Sequence, residues 1–161
     1  MKSIRSWPGN RWLCLGARWY LGGVFLLACI HKIADPAAFA LDVATYDIAP
    51  TALVNLVAIC LPWVELAAAL MLIVGVRVRP GALLVAAMMA IFTAALLAAL
   101  ARGLDMSCGC FASQGVEEDP ISWLTVARDL VWLLMAVYVL AFDDRPVGID
   151  SWLGQRRIGH A

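Results

Sequence analysis

The chain has 161 residues and a formal net charge of zero; 63% of its residues are hydrophobic and 15% charged. A soluble domain is nearer half apolar and a quarter charged, so this composition excludes an ordinary water-soluble globule. The balanced charge gives no footing for nucleic-acid binding. The mean hydropathy of +0.85 comes from long apolar runs, the pattern of an integral membrane protein.

The first run covers about Trp12–Ile33 and follows Lys2, Arg5 and Arg11. It holds Arg18, Cys14 and Cys29, and ends in His31-Lys32. Leu26-Leu27-Ala28-Cys29 has the look of a lipoprotein cleavage box, but three further runs follow and the basic region is long, so we read an uncleaved helix. Asp35-Pro36 next supplies a cap and a first-turn proline. Phe39, Val43 and Tyr46 then recur at helical spacing, which predicts a short amphipathic helix over Pro36–Tyr46, on the outer surface or folded over the bundle.

The second run, about Thr51–Val76, carries Cys60 and the stretch Leu61-Pro62-Trp63-Val64-Glu65-Leu66. Arg77-Val78-Arg79-Pro80-Gly81 breaks it from the third, about Gly81–Ala101, which is rich in alanine and suited to close helix packing in lipid. Gly103 to Gly115, GLDMSCGCFASQG, follows. Asp119-Pro120 then predicts the start of a fourth run, about Ile121–Phe142, with Arg128-Asp129 about two turns inside it. Each run has roughly 20 residues, enough to cross a hydrocarbon core of about 30 Å as a helix. The expected fold is therefore all-α: an integral membrane four-helix bundle over residues 1–142, in up-down-up-down order, with a polar tail over 143–161.

Basic residues cluster before the first run, in the Arg77/Arg79 loop and after the fourth run, at Arg145, Arg156 and Arg157. The other two loops lean acidic, with Asp35, Asp42 and Asp47 in one and Asp105, Glu117, Glu118 and Asp119 in the other. The positive-inside rule places both termini and the tail in the cytoplasm, and Cys108-Gly109-Cys110 on the periplasmic or extracellular side. Disulfides persist there.

Two cysteines one residue apart close only a small, strained ring, and a strained disulfide accepts electrons readily. Cys108 and Cys110 thus suit a redox couple; a structural staple and a soft-metal thiolate site are the other chemistries open to them. Cys29 and Cys60, in the outer halves of the first two helices, are a candidate second redox pair, and equally two small buried side chains. Ionisable residues inside a bilayer are expensive and normally pair within the bundle. Glu65, Arg128 and Asp129 are therefore candidate site residues, with Glu65–Arg128 the expected pair. Trp63, His31 and Lys32 are candidate cofactor contacts; Lys32 also suits an interfacial anchor.

Arg18, Lys32 before Asp35-Pro36 and Phe39, Leu61-Pro62-Trp63-Val64-Glu65-Leu66, Cys108-Gly109-Cys110-Phe111 and Arg128-Asp129 stand in this order. In that arrangement the chain resembles the MauE branch of the DoxX-like membrane proteins, over about residues 15–140. Cys29, where relatives often have a small residue, and Ala112, where glycine is usual, depart from it. The resemblance implies four transmembrane helices and a link to disulfide formation in a periplasmic enzyme with a thioredoxin-like partner. Other DoxX-like branches are linked to thiosulfate:quinone oxidoreductase or to chaperoning of membrane proteins. The expected function is thiol-disulfide exchange through Cys108/Cys110, with a membrane quinone as electron acceptor and no metal. DsbB-type enzymes offer an analogy of architecture only. The alternatives are an assembly factor with a static disulfide and a thiosulfate:quinone oxidoreductase-type subunit.

The charge asymmetry has a direct test. A membrane-impermeant maleimide should label reduced Cys108 or Cys110 in intact spheroplasts and leave Cys14 protected. Labelling confined to Cys14 would reverse the orientation.

Overall fold

The computed structural model describes residues 9–48, 50–104 and 122–143, and all of the regular structure among them is helical. Four helices are long and apolar enough to cross a membrane: α1 (Asn10–Ala34), α3 (Thr51–Val74), α4 (Val78–Ala101) and α5 (Trp123–Phe142). The short α2 (Pro36–Thr45) lies between the first two. The expected all-helical bundle and its amphipathic helix are both present.

Local signals set most of the boundaries. The Asp35 side chain accepts from the Ala38 N–H at 2.9 Å and Pro36 opens α2, as its cap-plus-proline pattern predicts. Two boundaries differ from expectation. The second and third spans part at Gly75–Arg77, because Gly75 adopts φ +75° and ends α3 with its N–H on the Met71 carbonyl. Pro80 and Gly81 then fall inside the first turn of α4 rather than before it. The last helix is capped by Ser122, whose hydroxyl accepts from the Thr125 N–H, so α5 begins at Trp123. The expected cap at Asp119-Pro120 lies outside the described residues.

The helices form a ring in which α1 packs on α3 and α5, and α4 packs on α3 and α5; α2 lies against α3. Small residues permit the close approaches. A Cβ added at Gly22 would stand 2.6 Å from Ile73 Cγ1, and one at Gly81 would stand 2.9 Å from Met71 Cβ. Leu21, Phe25, Ala68, Leu72, Ala82, Val85 and Ala136 fill the core. Trp12 and Trp123 are exposed near helix ends, as an aromatic belt requires, whereas Trp19 is exposed near the middle of α1.

One end of the bundle is tied by polar groups. Arg18 is 1% exposed, donates from Nε and Nη2 to the Leu72 carbonyl at 3.2 and 3.0 Å, and meets Asp143 at 3.4 Å. It joins α1 to the ends of α3 and α5. Beside it the Asn10 amide donates to the Phe142 carbonyl, and the Tyr138 hydroxyl donates to Asn10 Oδ1. Cys14 is buried there, its Sγ 3.8 Å from Asn10 Oδ1.

The glycine contacts make a prediction. Gly81→Ala should destabilise the bundle by about 1–3 kcal/mol through overpacking against Met71. Gly23→Ala, with open space around the new Cβ, should be neutral or stabilising by up to about 1 kcal/mol through helix propensity. Unfolding midpoints of the purified variants in nanodiscs compare them; equal destabilisation would deny the tight α3–α4 approach.

Candidate functional site

The opposite end of the bundle, capped by α2, holds the intramembrane charges. α1 brings up Lys32 in its last turn, and α3 presents Glu65 inward, one turn past the buried Pro62. Lys32 Nζ and Glu65 Oε1 meet at 2.7 Å, with both side chains about nine-tenths buried. The same ammonium lies 4.9 Å from the centre of the Phe39 ring on α2, an attraction between a cation and a π-face. Asp42, one turn further along α2, also feels Lys32. Burial pushes its carboxyl above the usual range, while the ammonium pulls the other way. Lys32 is thus the node that ties α2 to α1 and α3.

This corrects the expected Glu65–Arg128 pair. Glu65 is paired with Lys32, whose long stem lets an ammonium at the helix end reach down to a carboxylate within the bundle. Arg128 lies beside its own neighbour, its Nε 3.4 Å from Asp129 Oδ1, and stacks 5.0 Å over the Trp132 ring. Trp132 in turn donates to the Tyr20 hydroxyl at 3.4 Å. Asp129 is fully buried between helices.

The cysteines divide. Cys29 is completely buried one turn below Lys32, its Sγ 3.2 Å from the Leu26 carbonyl. Cys60 is exposed on α3. The two are free thiols on differently facing surfaces and do not form a pair in this structure. Cys108 and Cys110 lie outside the described residues. Among the proposed cofactor contacts, Trp63 is 58% exposed on the outer surface, His31 is half-buried and Lys32 is engaged with Glu65; they do not converge on one point.

Two features had no sequence expectation. Arg102, at the end of α4, reaches across to the carbonyls of Tyr46 and Asp47 just after α2, and Tyr46 packs edge-on against Phe92. This clasp fixes the far end of α2, as Lys32 fixes its middle. Secondly, among the described residues three buried side-chain oxygens have no hydrogen-bond partner: Glu65 Oε2, Thr93 Oγ1 and Asp129 Oδ2. Each such group costs about 1–3 kcal/mol when left unmade. Arg102 lies just past an apolar run and Thr93 within an alanine-rich one, so neither carries a signal at the level of spacing.

A protein-family comparison matches residues 10–142 to the family described as methylamine utilisation protein MauE. The chain belongs to the MauE family. A relative, methylamine utilization protein MauE of Paracoccus denitrificans, is 34% identical over 123 residues, which cover 76% of this chain and 65% of the relative. The chain therefore spans just under two thirds of that relative's length. No solved structure matches it.

In this MauE-family bundle the Lys32–Glu65 pair should behave as a unit. Lys32→Met and Glu65→Gln each leave one buried polar partner without its opposite charge, while the double change removes both. A double-mutant cycle on nanodisc unfolding should give a coupling of about 1–3 kcal/mol. The Glu65→Gln/Arg128→Leu cycle should be additive within about 0.5 kcal/mol. Coupling in the second cycle and none in the first would reverse the pairing.

Proposed function

We propose that this protein is a bacterial plasma-membrane thiol oxidoreductase that serves methylamine utilisation, as its relative's name suggests. Cys108 and Cys110 would exchange a disulfide with a thioredoxin-like or substrate dithiol on the periplasmic side. The observation that carries the reading is an arrangement at one end of the bundle. The helices flanking the Cys108-Gly109-Cys110 segment are α4 and α5. Arg102 at the end of α4 and Val126 in the first turn of α5 both gather around Tyr46, at the α2 end. The described residues that flank the segment in sequence therefore lie at the end that holds the buried Lys32–Glu65 pair, with Asp129 buried two turns inside α5.

The chemistry follows from those groups. A thiolate is the attacking species, so the more accessible cysteine forms the mixed disulfide and the other resolves it. When the S–S bond of Cys108/Cys110 is remade, two thiols lose two electrons and two protons. A membrane quinone supplies a diffusible acceptor for two of each. Glu65 Oε2 and Asp129 Oδ2 are buried carboxyl oxygens with unmet hydrogen-bonding capacity, the kind of group that takes up or delivers a proton in a dry site. Lys32 holds Glu65 in place and fixes α2 above it. The exposed position of Trp63 favours a lipid contact for that residue over a cofactor contact.

Two other readings make different demands. An assembly factor with a static disulfide needs no acceptor, and a thiosulfate:quinone oxidoreductase-type subunit needs turnover with a sulfur anion. The test uses the reduced full-length protein in liposomes, with ubiquinone present or absent. Thiol loss at Cys108 and Cys110 should be at least tenfold faster with quinone, and Cys108→Ser or Cys110→Ser should abolish oxidation of a dithiol partner. Equal rates in the two samples remove the quinone; a pair that resists mild reductant favours the static disulfide.

A further inference from the structure

The orphaned oxygens of Thr93 and Asp129 lie on the two helices that lead to the cysteine segment. On α4 and α5, Leu96 and Val126 pack together near the α2 end. Met89 and Trp132 belong to the main core deeper in the bundle. Helical spacing puts Thr93 between Leu96 and Met89 on α4, and Asp129 between Val126 and Trp132 on α5. The two helices are antiparallel neighbours, so Thr93 and Asp129 share one layer of their interface, closed above and below by apolar side chains. Thr93 is 5% exposed and Asp129 0%. Neither Thr93 Oγ1 nor Asp129 Oδ2 has a hydrogen-bond partner, so the two do not bond to each other. Asp129 Oδ1 is held by Arg128, which leaves Oδ2 as the free face of the carboxyl. A hydroxyl with a proton to give and a carboxyl oxygen able to accept or deliver one thus sit in the same apolar layer.

Resting on the thiol-oxidase reading above, we propose that Thr93 and Asp129 form the hydrogen-bonding site for one ring oxygen of the quinone, between α4 and α5. A quinone carbonyl oxygen is an acceptor only, and the Thr93 hydroxyl is the donor that matches it. Asp129 Oδ2, in its protonated form, would deliver the proton that accompanies reduction of a quinone held there, and as the carboxylate would then accept a hydrogen bond from that oxygen. The apolar layers formed by Leu96/Val126 and Met89/Trp132 provide the surroundings that a hydrocarbon ring needs.

Binding can be separated from turnover with the Cys108→Ser/Cys110→Ser double variant in nanodiscs, which binds without exchanging electrons. The probe is ubiquinone carrying 13C at its ring carbonyls, read by infrared difference spectroscopy. A hydrogen-bonded carbonyl should appear at lower frequency than that of quinone in lipid alone. Thr93→Val in this background should lose the displaced band and weaken binding about three- to tenfold, the loss of one neutral hydrogen bond. Thr93→Ser should keep both. Because the valine replaces an unpartnered hydroxyl by a methyl, the ligand-free Thr93→Val protein should melt at the same temperature or higher, so weakened binding cannot be ascribed to misfolding. Asp129→Asn should keep the displaced carbonyl band and, with the cysteines restored, slow quinone-dependent thiol loss. An unchanged band and affinity in Thr93→Val would overturn this site while leaving the wider reading standing, provided thiol loss still needs quinone. Thiol loss that ignores quinone in the wild-type protein would overturn the wider reading, whatever the infrared spectrum shows.

Discussion

A charge inside four apolar helices has no water to turn to, and the rest of this structure is arranged around that constraint. An ionised side chain near the bilayer centre costs at least about 2.5–3.5 kcal/mol on insertion scales, so it must find its partner within the bundle. Arg18 spends its guanidinium on a helix-end carbonyl and on Asp143, and so draws three helices together at one end. Lys32 spends its ammonium on Glu65 and the Phe39 ring, and so draws α1, α2 and α3 together at the other. The apolar core between them specifies little about register, since one alanine-rich face packs much like another. The two charged nodes and the glycine approaches at Gly22 and Gly81 supply that register.

The ends therefore differ in kind. Around Arg18 the polar groups are mutually satisfied: Asn10, Tyr138 and the Phe142 carbonyl form a closed set. Towards α2 they are not. Glu65, Thr93 and Asp129 each keep an oxygen without a partner. A satisfied network stabilises one packing, whereas unmet capacity inside a low-dielectric bundle is a standing cost that a ligand or a proton can relieve. The unmet hydrogen-bonding capacity accordingly lies towards the α2 end, on α3, α4 and α5.

Much of the fold was legible in the sequence because lipid simplifies the code. Long apolar runs must be helices, and Asp35-Pro36 marked the start of α2 to the residue. The membership of Glu65 and Asp129 in the interior was legible for the same reason. Their partners were not. Opposite charges in the second and fourth spans suggested Glu65 with Arg128, but pairing depends on how far each span is raised or tilted and on side-chain reach. Lys32, read equally well as an interfacial anchor, is long enough to fold inward from the end of its helix. The Cys29–Cys60 pair is not formed for a different reason: a place in the outer half of each helix says nothing of facing, and Cys60 points outward. The boundary near Arg77 shifted because glycine in the left-handed region ends a helix more firmly than a proline that fits within the first turn of the next one.

α2 connects these observations. A ten-residue helix has little stability of its own, so its position depends on what holds it. It is held at three points: the Asp35 cap at its start, Lys32 over Phe39 in its middle and Arg102 on the carbonyls that follow it. Two of these anchors also belong to, or adjoin in sequence, the proposed site. Lys32 neutralises Glu65, and Arg102 stands six residues before Cys108 in the chain. Changing the charge on Glu65 alters the pull on Lys32 and, through Phe39, the seating of α2. Moving Arg102 pulls on the clasp at the other end of the same helix. Glu65, Lys32, Phe39 and the Arg102 clasp are thereby coupled through one short helix. This coupling needs no long-range pathway, because every link in it is a direct contact.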